Sequence, residues 1–294
     1  MNIIKYRFIL LIAAANLVAP GCKKIEEKKP EPLNLGAVEN ALSKYKSKAD
    51  ILKNPDTDWL NNGCDALLWE SKYSSVTMDS DIRATEYDGS PGRFGRTPIK
   101  RCFSQGEDNG SKSTWSRDMG MGLILWAWRA NALDVLEDHE RYGRENTWKM
   151  GEPIADGRVL YTPQMIGILY SVIHAMGGAN NANRHWPTIW TKGLVDYQAH
   201  LQMMSILIQY EIEKDIKKVM YERIVEHSDR EPNNVFYQAL KAKFTGNYDK
   251  ASELCVNGSV GDYVRLSEDQ NANRARLSEL IFSCDLILRA YESN

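Results

Sequence analysis

From Leu35 to the end of the chain, apolar residues recur every three to four positions in block after block. No stretch keeps the two-residue alternation of a half-buried strand, so the elements to expect are helices. Leu35, Val38, Leu42, Tyr45 and Ala49 mark a helix over Leu35–Leu52, closed by Pro55. Trp59 to Val76 predicts a second, with Leu67, Leu68 and Tyr73 inward and Asp65 and Glu70 as solvated acids. The most apolar block follows Ser116. Met119, Leu123, Trp126 and Ala130 form one stripe and Met121, Leu125 and Trp128 another, which makes a helix buried over most of its circumference. It ends near Arg129, Asn131 offers a turn, and Leu133, Leu136, Glu140 and Gly143 open a helix that is polar outside. A buried helix followed by an amphipathic one is the inner and outer pair of an αα-hairpin.

The pattern continues in the same way. Lys149 to Pro163 is a loop around Asp156-Gly157, with flanks suited to a short hairpin. Thr162 as cap and Pro163 in the first helical position start the next helix. Its apolar face is Met165, Ile166, Leu169, Val172, Ile173 and Met176, and Gly177-Gly178 stop it. His174 lies among these residues and reads as a hydrogen-bonded core histidine. Leu194 to Tyr210, which carries His200, and the charged stretch Glu211 to His227 predict a further pair. Asn233 to Val256, with Ala239, Gly246, Tyr248 and Ala251 around its turn, resembles one tetratricopeptide-like unit. A single unit cannot make a stack, so it reads as one more hairpin. Arg274 to Tyr291 is a terminal helix. The expected fold class is all-α, built of successive helical hairpins.

Charge narrows the partners. Lys and Arg total 37 against 39 Asp and Glu, and the net charge is −2, which gives nucleic-acid binding no support. The N-terminus carries Lys5 and Arg7, then the apolar run Phe8–Val18, then Gly21-Cys22. This resembles a bacterial lipoprotein signal. The resemblance implies a signal peptide over 1–21, lipid on Cys22, a charged tether over 22–33, a folded domain over 34–294, export, and attachment to a membrane through the N-terminal lipid. Four cysteines then remain, and order along the chain pairs Cys64 with Cys102 and Cys255 with Cys284. There is no CxxC, HxxxH or HExxH pattern, so no metal and no cofactor is expected.

Three segments carry candidate chemistry. Thr77 to Thr114 is long, glycine-rich and holds Arg83, Arg93, Arg96 and Arg101. Arginine forks suit carboxylates or sugar hydroxyls, and Tyr87 and Phe94 offer rings to stack on sugars, so this loop reads as a pocket wall above Asp118, with a plain surface excursion as the alternative. Arg184, His185 and Trp186 are placed to line a groove. Trp115, Ser116, Arg117 and Asp118 stand at the mouth of the buried helix. On structural grounds alone, Ser116 is an N-cap and Asp118 a first-turn acid that favours the helix dipole.

That Trp-Ser-Arg-Asp segment resembles the one at the head of an inner helix in glucoamylases and related α/α-toroid glycosidases. The resemblance implies a small or incomplete α/α toroid, a carbohydrate ligand, and an Arg117–Asp118 pair that holds sugar hydroxyls beside Trp115. Arg96 of the arginine-rich loop and His185 of the polar stretch before Trp190 are the further substrate-contact candidates. Glycoside hydrolysis needs two carboxylates. Glu152 and Asp156, on the loop after the same hairpin, are the candidates. Two alternatives stay open: uronate elimination with Tyr161 or His185 as base, and a non-catalytic glycan-binding or scaffold lipoprotein using Trp115, Trp148 and Trp186.

Overall fold

The computed structural model describes residues 34–52, 71, 82–95, 115–151, 159–178, 190–261 and 270–292. The expected helix over Trp59–Val76 (apart from Ser71), the Cys64–Cys102 bridge and the candidates Cys22, Arg96, Glu152, Asp156 and His185 lie outside these residues.

Among the described residues the protein is all-α. Helix α1 covers Leu35–Leu52, α2 Arg117–Ala130, α3 Leu133–Glu145, α4 Pro163–Ala175, α5 Asp196–Glu213, α6 Lys218–Arg230, α7 Val235–Thr245, α8 Asp249–Asn257 and α9 Gln270–Glu292. A small antiparallel ribbon, β1 (Lys149–Met150) with β2 (Val159–Leu160), pairs Lys149 with Leu160 and Met150 with Val159.

Local chemistry sets these ends. Ser116 Oγ accepts from the Met119 amide at 3.2 Å and starts α2. Asn131, in the left-handed region at φ 56°, closes it. Thr162 Oγ1 accepts from the Met165 amide at 3.3 Å, with Pro163 in the first turn of α4. Each hydroxyl satisfies one of the orphan amides of its helix start, worth about 1 kcal/mol.

Helix α2 is buried from Met119 to Ala127 and packs against α3, α4 and α5. Helix α5 in turn meets α4 and α6, α6 meets α7, and α7 meets α8 and α9. Helix α1 lies along α9, so the described beginning and end of the chain pack together. One hydrophobic cluster runs from Val38 of α1 to Ala290 of α9. Arg129 of α2 forks onto Glu211 of α5 at 2.6 and 3.3 Å, with its guanidinium over the Phe282 ring of α9. The Cys255–Cys284 disulfide joins α8 to α9, as the cysteine order predicts.

Two expectations are corrected. The helix expected from Glu211 begins at Lys218, because α5 runs on to Glu213 and stops at Lys214, in the left-handed region at φ 52°. The turn that follows drives Ile216 fully into the core. His174 is exposed in the last turn of α4, where the apolar face has already turned away. The buried histidines among the described residues are His139, His200 and His227.

Candidate functional site

Trp115 precedes the cap of α2 and is only 1% exposed. It cannot offer its face to a sugar, which corrects the expectation drawn from its position. Its Nε1–H donates to the Tyr161 hydroxyl at 2.9 Å. The same hydroxyl lies 2.8 Å from His139 Nε2, and His139 Nδ1 lies 2.7 Å from the Gly92 carbonyl. A carbonyl only accepts, so Nδ1 carries the proton and Nε2 accepts from Tyr161. The result is one directional relay in which every hydrogen-bonding atom has a partner: Trp115 to Tyr161 to His139 to Gly92.

Phe94 packs on both rings, 6.4 Å from Trp115 and 5.7 Å from His139 by centroid. It is therefore core, 2% exposed, and not the stacking platform that the loop suggested. Two glycines make the relay possible. Gly92, at φ +82°, has its Cα so close to α3 that a Cβ would lie 2.0 Å from the Asp138 carbonyl oxygen. Gly120 leaves the space for the Tyr161 hydroxyl, which would stand 2.1 Å from a Cβ there.

Burial pushes the His139 pKa down to about 4 against the opposing bond to Gly92, so the ring is neutral at pH 7. Burial raises the Tyr161 hydroxyl well above its ordinary value. Tyr161 is thus a buried structural donor and not a base. The described part of the arginine-rich loop, 82–95, docks on α3: Arg83 forks onto Asp134 at 2.6 and 3.1 Å, and the Arg93 guanidinium covers the Tyr87 ring at 4.0 Å. Trp148 is half-buried edge-to-face on Tyr170, its ring close over Gly143.

Arg117 has a different setting. It borders a cleft of about 240 Å³ with Thr162, Gln164, Met165, Thr191, Leu194, Tyr197, Gln198, Leu201 and Ser205. Three helices contribute their first turns: α2 through Arg117, α4 through Gln164 and Met165, α5 through Tyr197 and Gln198. The cleft is therefore at the positive ends of three helix dipoles. Arg117 Nε donates to the Leu160 carbonyl of β2 at 3.1 Å, which pins the base of the guanidinium. Its two terminal nitrogens make no hydrogen bond among the described residues. Gln164 Nε2 is buried there without an acceptor among the described residues. Tyr197 is 43% exposed, a ring open to solvent at the rim.

The far wall is held by α6. Gly193 N donates to Glu226 at 2.7 Å, and Arg230 donates to the Leu194 carbonyl. Gln202 donates to the Thr191 carbonyl at 3.2 Å and accepts from His227 at 2.7 Å. Burial lowers the His227 pKa to about 4, against Glu226 and with the help of Arg230 and Arg223.

Of the three substrate-binding candidates in the Trp-Ser-Arg-Asp segment, Arg117 lines the cleft. Asp118 is half-buried beside it in the first turn, with an interaction of its own, and Trp115 lies beneath in the core. No group of His, Cys, Asp and Glu among the described residues is arranged to hold a metal ion. No described helix is long and apolar enough to cross a membrane. Reasoning from sequence missed Gln164, Tyr197 and Gln198. The signal was their place in the first turns of helices, beside Thr162-Pro163 and after the polar stretch that ends at Trp190. No family model, no curated protein and no solved structure matches this chain.

Proposed function

We propose that this chain is an exported lipoprotein, anchored through Cys22, that binds carbohydrate in the cleft over Arg117. The observation that carries the reading is the guanidinium itself. It is fixed at Nε by the Leu160 carbonyl and borders a mostly apolar cleft, walled by Pro163, Met165, Leu194 and Leu201, that also carries the amides of Gln164 and Gln198 and the hydroxyls of Thr162, Thr191 and Tyr197. A fork of donors suits a vicinal diol, and Tyr197 at the rim gives an apolar face for a ring. The volume is below the usual range for small-molecule sites, about 300–1,000 Å³, and suits one terminal sugar ring. An α/α-toroid arrangement of the hairpins belongs to the same proposal.

A second reading, hydrolysis, is favoured by one contact. The loop carrying Glu152 and Asp156 leaves from β1 and returns at β2, and β2 is the strand whose Leu160 carbonyl holds Arg117. One carboxyl would protonate the leaving oxygen and the other would activate water or attack.

A broad oligosaccharide panel tests both readings. Binding by the wild type should fall roughly tenfold to a hundredfold in Arg117→Met, the loss expected of a charged donor, with the thermal midpoint unchanged. If the panel gives no ligand, or Arg117→Met binds as well as wild type, the carbohydrate reading fails. Release of new reducing ends that disappears in Glu152→Gln or Asp156→Asn would establish hydrolysis. Binding without release would leave a glycan-binding protein.

A further inference from the structure

A second concavity, of about 540 Å³, lies between α1, the end of α8 and the first half of α9. Lys44 and Lys48 border it from α1, one turn apart and both exposed. Arg276 borders it from α9, and its side chain donates to the Gly258 carbonyl. None of the three makes an ion pair among the described residues, and no described carboxylate lines the groove. Several cations elsewhere are matched, as in Lys241 with Asp229, Lys250 with Glu253 and Arg289 with Asp285. Like charges gathered without counter-charge repel one another, and a bound anion relieves that repulsion.

The walls are preorganised. The Cys255–Cys284 disulfide ties α8 to α9, next in the chain to Val256 and one turn on from Leu280 of the groove. The Tyr45 hydroxyl donates to the Cys255 carbonyl at 2.7 Å, fastening α1 to the end of α8. Ordering these walls therefore costs a ligand little. The lip is apolar: Ile51 is 82% exposed at the end of α1 and Val256 44% exposed at the end of α8.

We infer that this groove is a binding site for a phosphate group, with Lys44, Lys48 and Arg276 as its donors and Ile51 and Val256 receiving an apolar substituent. A phosphate supplies several acceptor oxygens and up to two charges, which suits three cations on the walls of one groove better than a carboxylate does. The inference is independent of the carbohydrate reading.

Two sources offer this chemistry, a lipid headgroup and a free phosphate ester, and titration calorimetry on the full chain separates them. The probes are glycerol 3-phosphate, dihexanoylphosphatidic acid below its micelle concentration, and dihexanoylphosphatidylcholine. Wild type should bind at least one of the two phosphate monoesters saturably, more weakly as salt rises. Lys44→Gln/Lys48→Gln should lose about tenfold and Lys44→Glu/Lys48→Glu more, since each lysine contributes a charge-assisted contact. Both lysines are exposed, so circular dichroism should show an unchanged fold. Tighter binding of dihexanoylphosphatidic acid, reduced to the level of glycerol 3-phosphate by Ile51→Ser, assigns the site to lipid headgroups. Equal binding of both assigns it to soluble esters. No saturable binding of either, unchanged binding in the double variants, or equal binding of the phosphatidylcholine overturns the inference.

Discussion

Replacing Tyr161 with Phe removes one oxygen from the centre of the relay and leaves the ring in place. Trp115 Nε1–H then loses its acceptor and His139 Nε2 its donor. Both side chains are 1% exposed, so water does not reach them as a substitute. An orphaned buried polar group costs about 1–3 kcal/mol. Two such groups cost about 2–6 kcal/mol, and the hydroxyl that no longer has to be desolvated returns part of this. The net loss should be about 2–4 kcal/mol, far above the ±0.5 kcal/mol typical of surface changes. Urea unfolding followed by tryptophan fluorescence measures it, with an unchanged slope as the sign that stability alone has moved. The cycle completed by Trp115→Phe and the double variant should show coupling of about 1 kcal/mol or more, since the two residues share one bond. A Tyr161→Phe midpoint within error of wild type would refute the relay.

Two further predictions follow from the same packing. His139 and His227 have folded pKa values of about 4, below the ordinary 6.5, so between those values the unfolded chain binds protons that the folded chain does not. Their stabilisation is complete above about pH 6.5 and is lost as pH falls toward 4, by about 3 kcal/mol for each histidine. Urea midpoints at pH 7.5 and 4.5 should differ accordingly, and a flat profile would contradict the burial argument. The Cys255–Cys284 bridge closes a separation of 29 residues, so replacing both cysteines with Ala should cost about 3–4 kcal/mol, read from the same denaturation curves. An unchanged midpoint would mean that the bridge contributes nothing to stability.

Much of the fold is legible where one local signal dominates. Helix α1 spans the residues its apolar spacing marks, and Ser116, Asn131 and Thr162 act as the caps their types favour. The boundary between α5 and α6 is less legible, because the sequence from Glu211 to Val219 alternates charge and apolar residues in a pattern that fits either helix. Burial of Ile216 decides it, and that depends on neighbours distant in sequence. The histidines show the same limit. His139 lies in phase with Val135, Leu136 and Gly143 on the buried face of α3, so its periodicity was available as a signal. His174, among apolar neighbours, is exposed because a helix end is where the packed face runs out. The candidate site divides likewise. An arginine at a helix mouth is visible in sequence, but whether the aromatic before the cap turns outward or inward depends on Tyr161 and His139, 46 and 24 positions away.

We propose that Arg117 and its cleft receive a sugar. The most direct test is a crystal structure with the tightest-binding oligosaccharide from the panel. A terminal ring is expected in the cleft, with two adjacent hydroxyls about 3 Å from the terminal nitrogens of Arg117, the Gln164 amide paired, and the Tyr197 ring against the sugar face. Sugar density at any other surface, with the cleft unchanged, would contradict it.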